Sequence, residues 1–252
     1  MNISDIIRKR RSVRTFTGTM PPEDIMTELQ LRVDSTACDH YRLVVVDSAM
    51  SGSIGSYGVI SKAPAWLALV TDGSDESALR CAIEAEKIVL YLTSVNVGTC
   101  WVAGTFNQSK VRHAADTGGN EHVVAVIPFG IAAPRRRLIE SLQSGLTRSS
   151  SRKPFDKLFQ IDSRAPGAYT TLLEAVRLAP SAMNVQPWRV NIDHEGKAAF
   201  SSVTNNKYTM LDMGIALAHF VLMADSSGVA GRLVIPNHPT PAKIAEWMPG
   251  AK

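Results

Sequence analysis

The sequence predicts an α+β protein built from two similar halves. Three observations support this fold class. Helical apolar patterns and short apolar strands follow one another along the chain, their order repeats, and the composition is that of an ordinary folded protein. The 252 residues are 45% hydrophobic and 20% charged, which allows a sizeable core in one large domain or two small ones.

The first half is predicted to contain two helices, two strands on either side of a glycine-rich segment, a long helix and a further strand. Ser4 is expected to cap the first helix, and Pro21 and Pro22 to open the second. The later elements are strands at 41–47 and 64–72, a helix at 76–96 that Gly98 ends, and a strand at 123–130.

A polar, serine-rich and basic stretch then separates the halves. The second half is predicted to hold a helix at 168–179, strands at 188–193 and 198–203, and an apolar helix at 210–227 that Gly228 ends. We therefore assign residues 1–140 to the first half, 141–165 to a connector across the surface and 166–252 to the second half.

The two halves share an order of helix, loop, strand, strand and helix. Aligned on that order, Tyr41-Arg42 matches Trp188-Arg189, Ala37 matches Ala182, Asp39 matches Asn184 and Gly98 matches Gly228. Identities are few, so a duplication rests on element order. Chance similarity between two helix–strand runs is the alternative.

Charge, cysteine content and apolar runs narrow the class of protein. The net charge of +4 suits an anionic small ligand, while the absence of a basic stripe interleaved with aromatics argues against nucleic acid. Three cysteines without CxxC spacing fit a reducing compartment. The N-terminus lacks a signal-peptide pattern, and the apolar run at 123–134 is too short to span a bilayer. We expect a cytoplasmic protein with no membrane partner.

The loop at 179–188, APSAMNVQPW, concentrates polar side chains where an apolar helix ends. Ser181, Asn184 and Gln186 offer hydroxyl and amide groups that could read the edge of a heterocycle. The alternative is a turn whose polar groups are satisfied locally.

Two basic clusters could converge on one phosphate. Arg10, Arg11 and Arg14 lie within the motif RRSVR, where Ser12 adds a hydroxyl donor, and residues 135–137 are a second arginine triplet. Solvated surface charge is the alternative for both. In GTCWVAGTF, Gly104 could let a backbone N–H approach a ligand closely, or could serve a turn beside a packed Trp101.

Other sources of chemistry are missing from the pattern. The sequence shows no catalytic triad, no paired carboxylates and no histidine spacing suited to a metal, so we assign no catalytic residue and no metal. His219, in an apolar helix, is interpreted as a packed, hydrogen-bonded core residue.

Taken together, these segments resemble the FMN-dependent nitroreductase family. RRSVR, the PSxxNxQPW loop, a helix ending in GTCW followed by AG, and a basic RxR after a strand are that family's pattern. In the family, the PSxxN motif usually follows the N-terminal arginines; in this chain that position holds STACD at 35–39. The sequence that matches the motif, PSAMN at 180–184, lies in the second half. The sequence looks like the branch in which two half-repeats in one chain mimic the usual homodimer.

The resemblance implies a nitroreductase-like fold of central, mostly antiparallel sheets flanked by helices, a monomer, and one FMN per chain. Arg10, Arg11, Ser12 and Arg14 would hold the phosphate and flavin edge, helped by Arg135 and Arg137. Pro180, Ser181, Ala182 and Asn184 would border the ring from the other half, and Ala103 and Gly104 would pass beside it, with the Gly104 N–H near flavin N5.

The activity implied is hydride transfer from NADH or NADPH to a nitroaromatic, quinone or similar small acceptor. A flavin-binding carrier or sensor without turnover is a second hypothesis, since half of the paired site looks degenerate. A basic interaction protein whose arginines meet nucleic acid or an acidic partner is a third.

Overall fold

The computed structural model describes residues 2–48, 59–134 and 151–250. These residues form two sheets flanked by helices. One sheet has four strands and is antiparallel, and the other has five strands with one parallel pair. The predicted α+β class is confirmed. The glycine-rich segment and residues 135–150 lie outside the described residues.

The first half contributes four helices and four strands in its described part. They are α1 (Ile3–Lys9), α2 (Glu23–Asp34), β1 (Tyr41–Asp47), β2 (Ala65–Thr71), α3 (Asp75–Ser94), β3 (Gly98–Thr99), α4 (Gln108–Ala114) and β4 (His122–Gly130). Strands β2 and β4 are almost wholly buried, which explains their continuous apolar sequences.

Within the described residues, the second half contributes two helices and five strands. They are β5 (Phe159–Ile161), α5 (Ala168–Arg177), β6 (Trp188–Ile192), β7 (Ala198–Ser202), α6 (Thr209–Ser226), β8 (Gly231–Val234) and β9 (Ala245–Pro249). Strand β6 alternates buried and less buried residues, as expected of a strand with one face on the core.

The two sheets have matching topology. The first has the strand order β1-β2-β4-β3, and the second contains β6-β7-β9-β8, with β5 added parallel to β6. In each half a helix precedes the first strand of this set, and the long helix lies between its second and third strands along the chain. This match is what a duplication predicts, although the duplication itself stays a prediction.

The long helices α3 and α6 pack against each other where the halves meet. A Cβ at Gly214 would lie 2.5 Å from the carbonyl oxygen of Leu79 and 2.6 Å from Cβ of Ala82, so glycine permits the close approach. Leu79 belongs to a core shared with the second half, whereas Ala82 belongs to the core of the first sheet. Helix α3 therefore contributes to both cores.

Helix α6 is more apolar than α3, the other long helix of the described chain. By length and composition it would suit a membrane span, but 78% of it is buried inside the fold. That burial is typical of the core helix of a globular protein, and α6 packs on α3 accordingly.

Several helix ends and short strands differ from the sequence prediction. Asn2, not Ser4, caps α1, because its side chain accepts the N–H of Asp5 at 2.9 Å. Helix α3 ends before Gly98 because Asn96 adopts the left-handed conformation, with φ of 63°. Strand β5 lies inside the predicted connector, where buried Leu158 and Phe159 anchor it. Helix α4 and strands β8 and β9 were not predicted.

Candidate functional site

The RRSVR segment leaves α1 and runs extended beside β3. The N–H of Val13 donates to the carbonyl of Thr99 at 2.8 Å, and Ser12 forms a parallel bridge with Thr99. A Cβ at Gly98 would lie 2.9 Å from the Val13 side chain, so this glycine lets the segment pack closely. The arginines are thus fixed to the edge of the first sheet.

Arg10 is the inward-pointing member of this segment. Its Nε is buried and has no hydrogen-bond partner among the described residues. Burial lowers its pKa, while the nearby carboxylate of Glu86 opposes that shift. Arg11 is exposed and Arg14 is half-buried. Among the described residues, the arginines that form ion pairs are Arg32, Arg42, Arg80, Arg164 and Arg177, and none of the three in this segment.

The second arginine cluster, including Arg135 and Arg137, lies outside the described residues. Its approach is described up to Pro134. There the N–H of Ala133 donates to the carbonyl of Thr15 at 3.0 Å, and Thr17 donates to Ile131 at 3.0 Å. The chain therefore leaves the described part beside the end of the RRSVR segment.

The loop after α5 has a strained backbone. Three of its non-glycine residues have positive φ, at 50° for Met183, 58° for Asn184 and 49° for Gln186. Each costs free energy that surrounding contacts must offset. Such strain is concentrated at ligand clamps and active sites.

Part of the loop's polar set is satisfied within the loop. The Ser181 hydroxyl oxygen accepts the N–H of Gln186 at 2.8 Å, and the Gln186 side chain donates to the Asn184 carbonyl at 3.2 Å. The sequence left two interpretations of Ser181 and Gln186: binding the edge of a heterocyclic ligand, or hydrogen bonding within the turn. The observed hydrogen bonds favour the second interpretation for these two side chains.

Residues 151–153 form hydrogen bonds with the same loop. The amide of Asn184 donates to the Ser151 carbonyl at 3.0 Å, and its oxygen accepts from Nη1 of Arg152 at 3.3 Å. The N–H of Lys153 donates to the side-chain oxygen of Gln186 at 2.8 Å. These bonds cross 32 to 33 residues of sequence, so they fix the loop through tertiary contact.

Arg152 bonds to the loop and also interacts electrostatically with Arg10 of the N-terminal segment. Burial, and then the positive charges of Arg10 and Arg177, lower the pKa of Arg152 to about 10. Its Nη2 donates to the Leu178 carbonyl at 3.1 Å, which fixes the guanidinium. Arg10 of the first half and Arg177 of the second half thus both act on Arg152 of the connector, which bonds to Asn184.

The Ala103–Gly104 turn meets the second half at Tyr208. A Cβ at Gly104 would lie 2.5 Å from the Tyr208 hydroxyl, so a larger residue there would displace the Tyr208 side chain. Tyr208 caps α6, and its carbonyl accepts the N–H of Asp212 one turn later at 2.9 Å. Asp212 in turn accepts the N–H of Ala182 at 2.8 Å. The first turn of α6 therefore links Gly104 with the loop.

A buried polar chain lies behind the site. Glu86 accepts the indole N–H of Trp101 at 2.7 Å and faces Nε2 of His219 at 2.9 Å, while Nδ1 of His219 lies 2.9 Å from the Ala175 carbonyl. Glu86 and His219 are fully buried. Since a carbonyl only accepts, Nδ1 of His219 is the donor to Ala175. His219 is confirmed as a hydrogen-bonded core residue.

A family model described as "Putative TM nitroreductase" matches residues 2–224. The chain belongs to this nitroreductase family. A crystal structure of a putative nitroreductase from Thermotoga maritima is similar over 98% of this chain and 94% of its own, with 21% identity and a TM-score of 0.68. That likeness supports the nitroreductase fold.

Other solved structures match about half of the chain. A nitroreductase family protein from Clostridium novyi NT has 25% identity and a TM-score of 0.45, covering 53% of this chain and 87% of its own. A nitroreductase from Bacteroides fragilis, solved with bound FMN, has 17% identity and a TM-score of 0.44, covering 55% and 92%. No curated protein matches the sequence.

The fold of this family member brings several of the predicted site residues to the meeting of the halves. Arg10 acts electrostatically on Arg152, which bonds to Asn184, while Gly104 and Ala182 both meet the first turn of α6. Arg11 is exposed, and Pro180 is half-buried at the start of the loop.

Sequence reasoning missed Arg152, Tyr208 and Asp212. Arg152 lies in a basic, serine-rich stretch of the kind that usually forms a solvated surface. Asp212 carried a usable signal, because a lone carboxylate in the apolar stretch MLDMGIALAH must either be paired or have a perturbed pKa. Burial does raise the pKa of Asp212 to about 7, although the bond from Ala182 opposes the rise.

Proposed function

We propose that this chain is an FMN-dependent oxidoreductase that takes hydride from NADH or NADPH and passes it to a nitroaromatic, quinone or related small acceptor. Membership of the nitroreductase family supports an oxidoreductase. The finer statement rests on the site, and on the resemblance carried by RRSVR and the PSxxN loop.

One observation carries the proposal. Arg10, whose buried Nε has no hydrogen-bond partner among the described residues, lies close enough to Arg152 to contribute to the lowering of its pKa, and Arg152 bonds to Asn184 of the strained loop. Guanidinium groups bind phosphate strongly through charge-assisted hydrogen bonds. Cations from one half and a polar loop from the other fit a ligand with an anionic tail and a heterocyclic head.

The residues present fit FMN. Arg10, Arg11, Ser12 and Arg14, with Arg135 and Arg137, would hold the phosphate and flavin edge; Pro180, Ser181, Ala182, Asn184, Ala103 and Gly104 would border the ring. When bound, FMN supplies the hydride chemistry. This chain's residues fix its position and keep positive charge beside it.

We propose one FMN per chain and a monomer in which two halves replace the usual pair of subunits. The packing of α3 on α6 supports the monomer, because the surface between the halves is already buried. We retain the two-half organisation with its connector as a proposal, together with a cytoplasmic location and no nucleic-acid or membrane partner.

The test combines a visible absorption spectrum of the purified protein with FMN titration. We expect a yellow protein, or one that binds added FMN at one per chain, and oxidation of NADH or NADPH when a quinone or nitroaromatic is added. A protein that is colourless and does not bind FMN would contradict the proposal. Bound but inert flavin would favour a carrier or sensor, and a colourless protein whose binding to polyanions weakens steeply with salt would favour an interaction protein.

Arg10→Ala sharpens this test. Loss of a charge-assisted contact is expected to weaken FMN binding by about 10-fold to 100-fold while leaving riboflavin, which lacks the phosphate, nearly unchanged. Arg8→Ala is the matched control, since Arg8 lies on α1 and its side chain approaches Ser4 at 3.5 Å. Equal losses for FMN and riboflavin would mean that Arg10 does not contact the phosphate.

A further inference from the structure

The start of the loop at 180–186 is bonded to one buried carboxylate. Its backbone takes up left-handed conformations at Met183, Asn184 and Gln186, which free side chains avoid. At the start of this strained stretch, the N–H of Ala182 donates to Oδ1 of Asp212 at 2.8 Å. Asp212 is only 5% exposed.

A carboxylate at this position is costly for the fold. The neighbours of Asp212 along α6 are apolar and buried, and a buried charge needs strong compensation. The compensation comes from the loop, 30 residues away in sequence. A well-packed apolar residue would suit the helix better, so the carboxylate serves the loop rather than the helix.

We propose that Asp212 is the positioning residue that holds the Ala182–Asn184 loop in its ligand-binding conformation. This inference rests on the proposed flavin site. Asp212 acts through the Ala182 N–H and, in its ionised form, binds that N–H more strongly than a neutral acceptor can. Protonation of Asp212 therefore loosens the loop and weakens FMN binding.

The surroundings of Asp212 make this titration accessible near neutral pH. Burial raises its pKa to about 7, against the opposing bond from Ala182. The loop from 179 to 186 and the turn from 101 to 104 contain no titratable side chain. Along α6 the nearest titratable groups are Tyr208, one turn earlier, and His219, two turns later. The helices packed on α6 add Asp75, Glu76, Arg80, Cys81, Glu84, Glu86, Lys87 and Tyr91 on α3 and Tyr169, Glu174 and Arg177 on α5.

The experiment measures FMN dissociation constants by flavin fluorescence from pH 5.5 to 8.5, without turnover, for the wild type, Asp212→Asn and Asp212→Ala. Asp212→Asn keeps an acceptor of the same shape but cannot ionise. Because the FMN phosphate itself titrates near pH 6, the ratio of the Asn variant to the wild type at each pH isolates Asp212.

We expect that ratio to be near one at pH 5.5 and to rise to about fivefold to tenfold at pH 8.5, the difference between a charged and a neutral acceptor. Asp212→Ala should bind FMN more weakly than Asp212→Asn at every pH. Asp225→Asn, at the exposed end of the same helix, should match the wild type. A ratio that does not change with pH, or wild-type affinity in Asp212→Ala, would overturn the inference.

Hydrogen exchange separates a failure of this inference from a failure of the proposed function. The Ala182 amide should exchange at least tenfold faster in Asp212→Ala than in the wild type, whether or not any flavin binds. Amides of α3 report whether the variant remains folded. If FMN does not bind but Ala182 loses protection, the proposed function fails and the role of Asp212 in the loop stands; unchanged protection overturns that role directly.

Discussion

The loop that joins α2 to β1 and the loop that joins α5 to β6 are built differently. In the second half, Ala182 donates its N–H to Asp212 on another helix, and Asn184 bonds to Ser151 and Arg152. In the first half, Ala37 donates only to Asp34 of the helix just ended, at 3.4 Å. Sheets of matching topology thus carry one loop whose centre is held by tertiary contacts and one whose centre is held by its own helix, with a tertiary contact only at its end, where His40 meets Asp72 at 3.1 Å.

The backbone shows the same contrast. The second-half loop includes three left-handed non-glycine residues, whereas none of the residues from 35 to 40 has a positive φ. The side chains of Ser35 and Thr36 bond back to carbonyls of their own helix, at 2.8 Å each. Strain and long-range support occur together only in the second-half loop, which agrees with the proposal of one flavin per chain.

The largest effect is expected where the halves meet, because a change there removes support from both cores. Gly214→Val would drive side-chain atoms into the Leu79 carbonyl and should lower the free energy of unfolding by about 3 kcal/mol or more. Denaturant unfolding measures this. Gly119→Val, where a Cβ meets nothing within 4 Å, is the control; similar losses in both variants would argue against the tight helix contact.

An effect of comparable size comes from Asp212 and depends on pH. Its pKa is raised from 3.8 to about 7 in the folded state, so the folded state binds the proton more tightly. The stabilisation is fully present below about pH 4 and is lost as pH rises through 7, by up to about 4 kcal/mol. Asp212→Asn should lack this loss. Parallel stability–pH curves for the two proteins would contradict the raised pKa.

Matched substitutions in the two loops should differ in their effect on flavin binding. Asn184→Ala removes bonds to Ser151 and Arg152 and should weaken FMN binding about tenfold. Asp39→Ala, at the aligned position of the first-half loop, should change it by less than about twofold, because the first-half loop is not expected to hold a flavin. Titration of both variants decides the question, and equal losses would indicate a second, functioning site.

The smallest effect tests the strain itself. Met183 has φ of 50°, so Met183→Gly relieves a left-handed conformation and should stabilise the protein by up to about 1 kcal/mol. Cys38→Gly, in the relaxed loop, gains no such relief and should destabilise it by up to about 1 kcal/mol through the freer unfolded chain. Thermal melts should therefore shift in opposite directions; shifts of the same sign would show that Met183 is not strained.

Local sequence signals predicted much of the fold. Strand β1 was predicted with its observed bounds, and β2, β4, β6 and α6 to within a residue or two, because periodicity and apolar runs are local properties. Strands β8 and β9 were missed, since short strands with mixed composition depend on their neighbours in the sheet for stability.

The candidate site was predictable only where a motif was present. RRSVR, Gly104 and the PSxxN loop could be picked out from their residues. Arg152 and Tyr208 could not, because their importance arises from contacts with Asn184 and Gly104 rather than from their sequence neighbours. The polar chain from Glu86 to His219 joins residues 133 positions apart.

The sequence by itself determined the order of helices and strands, the apolar faces and the residue types able to bind an anion and a heterocycle. Only the tertiary structure decided which arginines act on one another and which of the two loops is held in a strained, supported form. The physical reason is the distance along the sequence over which each interaction acts. Periodicity and capping act within a few residues, whereas the bond from Ala182 to Asp212 and the influence of Arg10 on Arg152 exist only once the halves have packed together.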